Sequence, residues 1–202
     1  MHNITASHNP MEWNGLKCLD ANGLAPPPAQ AAAIIERFKA NRVDTVPPSK
    51  RGTRSDDLSS VRVHVEAVER LIDRTPIRAR GFRVALDSIN ASGCLGGKAL
   101  LESYGCSLEH LNGELTGVFA HTPEPLAENL TALAELVAND GAFVCGFAQD
   151  PDADRLAIID ETGTFIGEEY TVVLAALRML ERSGPGTLAV NLSTSRMIDD
   201  VA

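Results

Sequence analysis

The chain has 202 residues, 44% hydrophobic and 22% charged, a composition ordinary for a globular protein of one domain or two small ones. Acidic residues outnumber basic ones 27 to 18, for a formal net charge of −9, and the aromatics amount to six Phe, two Tyr and one Trp. That balance argues against nucleic-acid binding, which needs a basic footprint and stacking platforms, and no apolar run approaches the roughly 20 residues needed to cross a bilayer.

The start, MHNITAS, has neither the basic nor the apolar region of a secretory signal. Pro26-Pro27-Pro28 breaks the backbone, and 29–40 is expected to be helical with Ile34, Ile35 and Phe38 on its apolar face. Residues 46–57 read as a loop rich in Pro, Ser and charge, with Lys50, Arg51 and Arg54 as a solvated basic cluster. Leu58, Val61, Val65, Val68 and Ile72 then recur at spacings of three and four, predicting an amphipathic helix over 58–74. Asp56 or Asp57 can cap it, and Thr75-Pro76 should end it, because a residue before proline avoids the α region.

From there strands and helices alternate. Strands are expected at 82–86, 106–111, 142–147, 156–160 and 187–192. Helices are expected at 95–104, 126–139 and 168–182, with the start of another at 195–202. Leu126, Leu130, Leu133 and Val137 share one helical face. A small-residue turn spans 87–93 and a second turn 161–163. This order predicts an α/β fold with mixed, mainly parallel sheets and helices packed on them. Both ends read as cuts through domains.

Cys18, Cys94, Cys106 and Cys145 form no CxxC pair and are expected as buried free thiols in a reducing, cytoplasmic compartment. His64 is expected to be solvated, His110 and His121 to be structural, and Trp13 to pack. Glu168 and Glu169 open a helix, where acidic side chains favour the dipole.

The strongest local signal is Asp150-Pro151-Asp152-Ala153-Asp154-Arg155, set between two apolar strands. Three carboxylates on alternate residues repel one another, and a divalent cation supplies a reason to gather them. Three carboxylates leave positions open on octahedral Mg²⁺ for water or phosphate oxygens, and Arg155 adds a fork that matches phosphate. An EF-hand reading fails twice: Arg155 stands where the sharp turn wants Gly, and the flanks are strands. The second signal is Thr5-Ala6-Ser7-His8-Asn9-Pro10, continuing to Asn14-Gly15-Leu16-Lys17. It sets a hydroxyl, an imidazole and an ammonium close together in sequence. Taken alone, it would be read as a surface turn.

Together, TASHNP…NGLK and DPDADR resemble the α-D-phosphohexomutase superfamily, the phosphoglucomutases, phosphomannomutases and phosphoglucosamine mutases. The segments at 84–93, 123–130 and 166–171 are similar to recurring family segments in the same order, so the resemblance covers nearly the whole chain. It implies a phosphoryl group on Ser7 and Mg²⁺ held by Ser7, Asp150, Asp152 and Asp154. His8 and Lys17 are implied as catalytic, and Asn9, Asn14 and Arg155 as binding phosphate or substrate.

The implied partners are a hexose phosphate and its bisphosphate intermediate, with no nucleic acid or membrane, and the implied reaction exchanges phosphate between C6 and C1. On the family template, 1–75 is the C-terminal part of domain 1, 76–164 is domain 2 and 165–202 begins domain 3. The style of DPDADRLAIID leans towards a phosphoglucosamine or phosphomannose mutase. Pro151 and Ala153 depart from the glycines usual in that loop, and Ala91-Ser92 from a glycine-rich turn. From a different class, a non-catalytic metal- or phosphate-binding module on the same fold remains the alternative.

Overall fold

The computed structural model describes residues 2–57 and 59–202, so Leu58 of the expected helix lies outside the described residues. The chain forms two compact units, Met1–Ala6 with Glu12–Ser60, and Ser7–Met11 with Val61–Ala202.

In the first unit, β1 (His2–Ile4) pairs antiparallel with β2 (Leu16–Cys18), His2 opposite Cys18 and Ile4 opposite Leu16. The Asp20 carboxylate accepts from the backbone N–H of Asn22 and Leu24 at 2.8 and 3.0 Å, fixing the turn after β2. Helix α1 (Pro28–Lys39) begins on proline, whose preset φ suits the first turn. The expected apolar face is present but uncovered among the described residues: Phe38 is 80% exposed and Ile35 51%.

Helix α2 (Ser60–Glu69), in the second unit from Val61 onward, carries Val61, Val65 and Val68 half-buried on one side. Of the two candidate caps, Asp57 accepts from the Ser59 N–H at 2.8 Å, whereas Asp56 pairs with Arg54. The helix stops five residues before the expected limit, and Ile72 falls outside it and is exposed. Thr75-Pro76 does not end that helix but opens a new one, α3 (Thr75–Arg80), since proline in a first turn sacrifices no intrahelical bond.

Five strands form one sheet in the order β4 (Ser107–Leu111), β3 (Arg83–Asp87), β5 (Cys145–Gln149), β6 (Leu156–Asp160), β7 (Phe165–Gly167). β3 has parallel partners on both sides, and β5–β6 and β6–β7 are antiparallel. β7 has no counterpart among the expected strands. It follows the 161–163 turn, where the Asp160 carboxylate accepts from the N–H of Thr162 and Thr164 and closes a hairpin. Conversely, no strand forms at 187–192. A strand needs a neighbour, and among the described residues this segment has none; Leu192 is fully exposed.

Alternate strand residues face opposite layers. Helix α5 (Thr131–Asp140), preceded by a short 3₁₀ turn at Ala127–Asn129, covers one face. There Leu130, Leu133, Val137 and Phe143 pack with Ala85, Ala148, Ala157 and Ile159. Burying each leucine side chain stabilises the fold by roughly 1.5–3 kcal/mol. Helix α4 (Gly93–Ser103) lies against Leu86, which points the other way. Helix α6 (Glu169–Ser183) packs on β6, and α7 (Met197–Val201) packs on α6. No described helix is long and apolar enough to cross a membrane. The four cysteines are free, but only Cys94 is fully buried.

A buried polar layer caps the C-terminal end of β3. Asp87 is 2% exposed and accepts from Asn112 Nδ2 at 2.8 Å and Ile89 N–H at 2.9 Å. His121 Nε2 lies 3.2 Å from Asp87 Oδ2, and its Nδ1 lies 2.8 Å from the Thr122 carbonyl. Both ring nitrogens face acceptors, an arrangement only an imidazolium satisfies. The hydrogen bond to Asp87 raises the His121 pKa, and burial offsets this only in part.

A histidine whose folded pKa is raised contributes stability in full below its ordinary value, near 6.5, and loses it as pH rises through the folded value. Urea denaturation from pH 5.5 to 8.5 is therefore expected to show the parent losing its advantage over His121→Gln as pH rises. A pH-independent difference between the two would contradict this.

Candidate functional site

The acidic loop joins β5 to β6 as a hairpin. Its stems are in register, with Gln149 opposite Leu156 and Cys145 opposite Asp160. A strand hairpin cannot present the helix-flanked EF-hand geometry, in keeping with the argument from Arg155. Within the loop, Ala153 N–H donates to the Asp150 carbonyl at 3.0 Å and Arg155 N–H to Asp150 Oδ1 at 3.2 Å. Ala153 adopts φ +58°, a left-handed conformation that a side chain disfavours.

The carboxylates of Asp150, Asp152 and Asp154 converge, with one oxygen of each within 4.8 Å of the others. They run from buried Asp150 through half-buried Asp152 to exposed Asp154, so the cluster opens to solvent on one side. Asp150 is 0% exposed, and among the described residues its Oδ2 has no hydrogen-bond partner. Burial, reinforced by the Asp152 and Asp154 carboxylates and opposed by the Arg155 N–H, pushes its pKa up to about 6. Buried carboxylate oxygen without a donor, among like charges, is the donor set that a hard divalent cation fits. Such an ion would supply the missing partner and favour the ionised form of all three acids.

The serine segment is shaped differently. Ser7 is half-buried with φ +55°, and its Oγ lies 3.3 Å from His8 Nδ1. Asn-Pro follows, with Asn9 exposed. The flanks are tied together by Thr5 N–H donating to the Gly15 carbonyl at 3.0 Å, and Asn14 Oδ1 accepts from the Gly15 N–H at 2.8 Å. Ser7–Met11 groups with the second unit, the one that holds the carboxylate loop, whereas Asn14 and Lys17 belong to the first. Lys17 sits exposed on β2 opposite Asn3. Trp13, expected to pack, is 64% exposed. It lies in the irregular stretch between the strands rather than on an element with an inner face.

Four further residues buttress the acidic loop and were not singled out for it from sequence. Ser88 and Ser92 on the turn after β3, Gln149 at the end of β5 and His110 on β4 form the contacts. His64 is exposed, and Glu169 opens α6. His110 and His121 both serve half-buried hydrogen bonds, as expected of structural histidines.

Comparison with known proteins agrees with this geometry. Residues 62–163 match the model of phosphoglucomutase/phosphomannomutase alpha/beta/alpha domain II, and residues 3–44 that of alpha/beta/alpha domain I. The chain belongs to the phosphoglucomutase/phosphomannomutase family. A phosphoglucomutase/phosphomannomutase of Thermococcus kodakarensis is 37% identical over 201 residues, which is 98% of this chain and 43% of that protein. A probable phosphoglucosamine mutase of Methanopyrus kandleri is 36% identical, again over 98% of this chain and 43% of its own length. The crystal structure of a phosphoglucomutase/phosphomannomutase family protein from Burkholderia thailandensis superposes with TM-score 0.74 at 26% identity. That match covers 98% of this chain and 42% of the other. The chain thus spans less than half the length of these family members.

The left-handed conformation of Ala153 has a measurable consequence. Ala153→Gly removes the Cβ penalty of ~1–2 kcal/mol and adds chain entropy to the unfolded state, for a net gain of about 0.5–1 kcal/mol. A higher thermal midpoint is expected. A lower midpoint would show that the Ala153 side chain contributes more by packing than it costs in strain.

Proposed function

We propose that this chain carries the phosphoryl-transfer centre of a hexose-phosphate mutase acting between C6 and C1. The convergence of three carboxylates around a buried oxygen that has no donor is the observation that carries this reading. Family membership supplies the substrate class, because the similar proteins are named as mutases of glucose, mannose and glucosamine phosphates. Glucosamine and mannose phosphates are the first sugars to assay. In this reading, 1–75 is the C-terminal part of domain 1, 76–164 is domain 2 and 165–202 begins domain 3.

Ser7 carries the phosphoryl group. In the first half-reaction the bond from phosphorus to Ser7 Oγ breaks while one forms to the free sugar hydroxyl, whose proton passes to His8 or Lys17. The sugar bisphosphate turns over, and Ser7 Oγ then takes the other phosphoryl group as the proton returns to the sugar oxygen. Such transfers depend on positioning and charge neutralisation more than on covalent assistance. Asp150, Asp152, Asp154 and Ser7 hold Mg²⁺, which when bound supplies positive charge beside the transferring group. Arg155, Asn9 and Asn14 hold phosphate or substrate oxygens, Arg155 through its planar fork.

Three measurements test this on the complete reading frame. Mass spectrometry is expected to find phosphate on Ser7, and Ser7→Ala is expected to abolish mutase turnover. Asp152→Asn is expected to weaken Mg²⁺ binding by tenfold or more in calorimetry, since it removes a charged ligand. Normal turnover in Ser7→Ala would sink the nucleophile assignment. Metal binding with neither Ser7 phosphate nor turnover would favour the non-catalytic module instead.

A further inference from the structure

The acidic loop must hold like charges together before any cation arrives, and its internal bonds leave part of it unanchored. Those bonds reach Ala153 and Arg155 from Asp150. Pro151, between the first two acids, has no N–H, so its carbonyl is its one backbone group available for hydrogen bonding. That carbonyl accepts twice from a single residue, from Ser92 Oγ at 2.7 Å and Ser92 N–H at 3.2 Å.

Ser92 is itself well placed to act as an anchor. It belongs to the turn between β3 and α4, which is pinned at several points. Asp87 Oδ1 accepts from Ile89 N–H, Ala91 N–H donates to the Ser88 carbonyl at 2.9 Å, and Asn90 N–H donates to the Asn112 carbonyl at 2.7 Å. The same turn grips the loop a second time, immediately before Asp150. Ser88 is fully buried, and its Oγ donates to Gln149 Oε1 at 2.9 Å. His110 Nε2, 2.9 Å from that hydroxyl, then acts as donor to it. The approach is close: a Cβ on Gly93 would stand 2.4 Å from Gln149 Oε1 and 3.0 Å from Ala153 Cβ. The loop is therefore held on both sides of its buried acid by one turn that contributes no ligand.

We propose that Ser92 is a positioning residue for the carboxylate cluster, acting through the Pro151 carbonyl, with Ser88 and Gln149 as its partner tether. The inference rests on the reading of the cluster as a Mg²⁺ site. Ser92 sets the distance between Asp150 and Asp152 in the metal-free protein, so that binding a cation needs little reordering of the loop. Removing the hydroxyl frees the loop to spread under its own repulsion, and the cation must then gather it.

The experiment compares the purified chain with Ser92→Ala and Ser92→Thr. Thermal midpoints of all three should agree within about 2 °C, because Ser92 is exposed and makes no core contact. Calorimetric titration with Mg²⁺ alone should give about tenfold weaker affinity for Ser92→Ala, in the range for residues that orient ligands, and near-parent affinity for Ser92→Thr. In metal-free protein, hydrogen exchange at the Ala153 and Arg155 amides should quicken in Ser92→Ala and return in Ser92→Thr.

Parent-like affinity in Ser92→Ala would overturn the inference while leaving the metal site standing. Loss of affinity together with a collapsed midpoint and no rescue by threonine would also overturn it, as general structural damage. If the parent chain bound no Mg²⁺, the metal reading would fall and the inference with it. The metal-free exchange rates would then report only whether Ser92 orders the loop.

Discussion

Mutual repulsion among three carboxylates, one of them wholly withdrawn from water, is the constraint around which the second unit is arranged. Left to itself, a short loop with acids on alternate residues would spread into solvent. Here it is the connection of a tight hairpin, its first acid sits beneath the surface without a partner for one oxygen, and burial raises that acid's pKa to about 6. The protein holds an unfavourable arrangement in readiness, at a local cost in stability. Strain concentrated in this way is characteristic of sites where charge is to be supplied from outside.

The sheet explains how the arrangement is held. β3, β4 and β5 run parallel, so their C-terminal ends lie at one edge, and the polar groups gather there. Asp87 and Ser88 follow from β3, His110 and Asn112 from β4, and Gln149 and Asp150 from β5. Below this edge, Ala85, Ala148 and Ala157 let α5 approach the sheet closely, and Leu133 and Val137 fill the space. Open α/β sheets present their ligand-binding crevices beyond the carboxyl ends of their strands for the same geometric reason. The rigid apolar layer and the polar layer above it are consecutive parts of the same strands.

Much of this was legible in the sequence where the signal is local. Leu130, Leu133 and Val137 recur with helical spacing and are buried as that spacing predicts, whereas Leu126 of the same expected face lies ahead of the helix and is exposed; β6 spans the expected residues. The alternation of acids along the sequence is enough to predict the cluster. β5 was displaced because the apolar run from Ala142 does not mark where pairing begins: Phe143 enters the core ahead of the strand, and Ala148 lies within it. The segment at 187–192 carries a strand-like pattern, yet a strand is defined by its neighbour and none is present among the described residues. Ser88 and Ser92 were unreadable as supports for the loop. They are small polar residues in a turn, and their partners lie 61 and 59 residues further along the chain. Pairing at that distance leaves no periodic trace.

The hairpin carrying the acids has a further implication. Because its stems are bonded in register from Cys145–Asp160 up to Gln149–Leu156, the backbone between Gln149 and Leu156 has a fixed span to cover. Side chains within that span other than the three acids can vary without changing it. Its length is less free, since losing or gaining one residue shifts either the register of a stem, and with it the facing of its side chains, or the placement of the acids at the sheet edge. Among family members, then, this stretch should accept substitution far more readily than insertion or deletion. An alignment gap inside it would be a better mark of a disrupted carboxylate cluster than any single replaced residue outside the three acids.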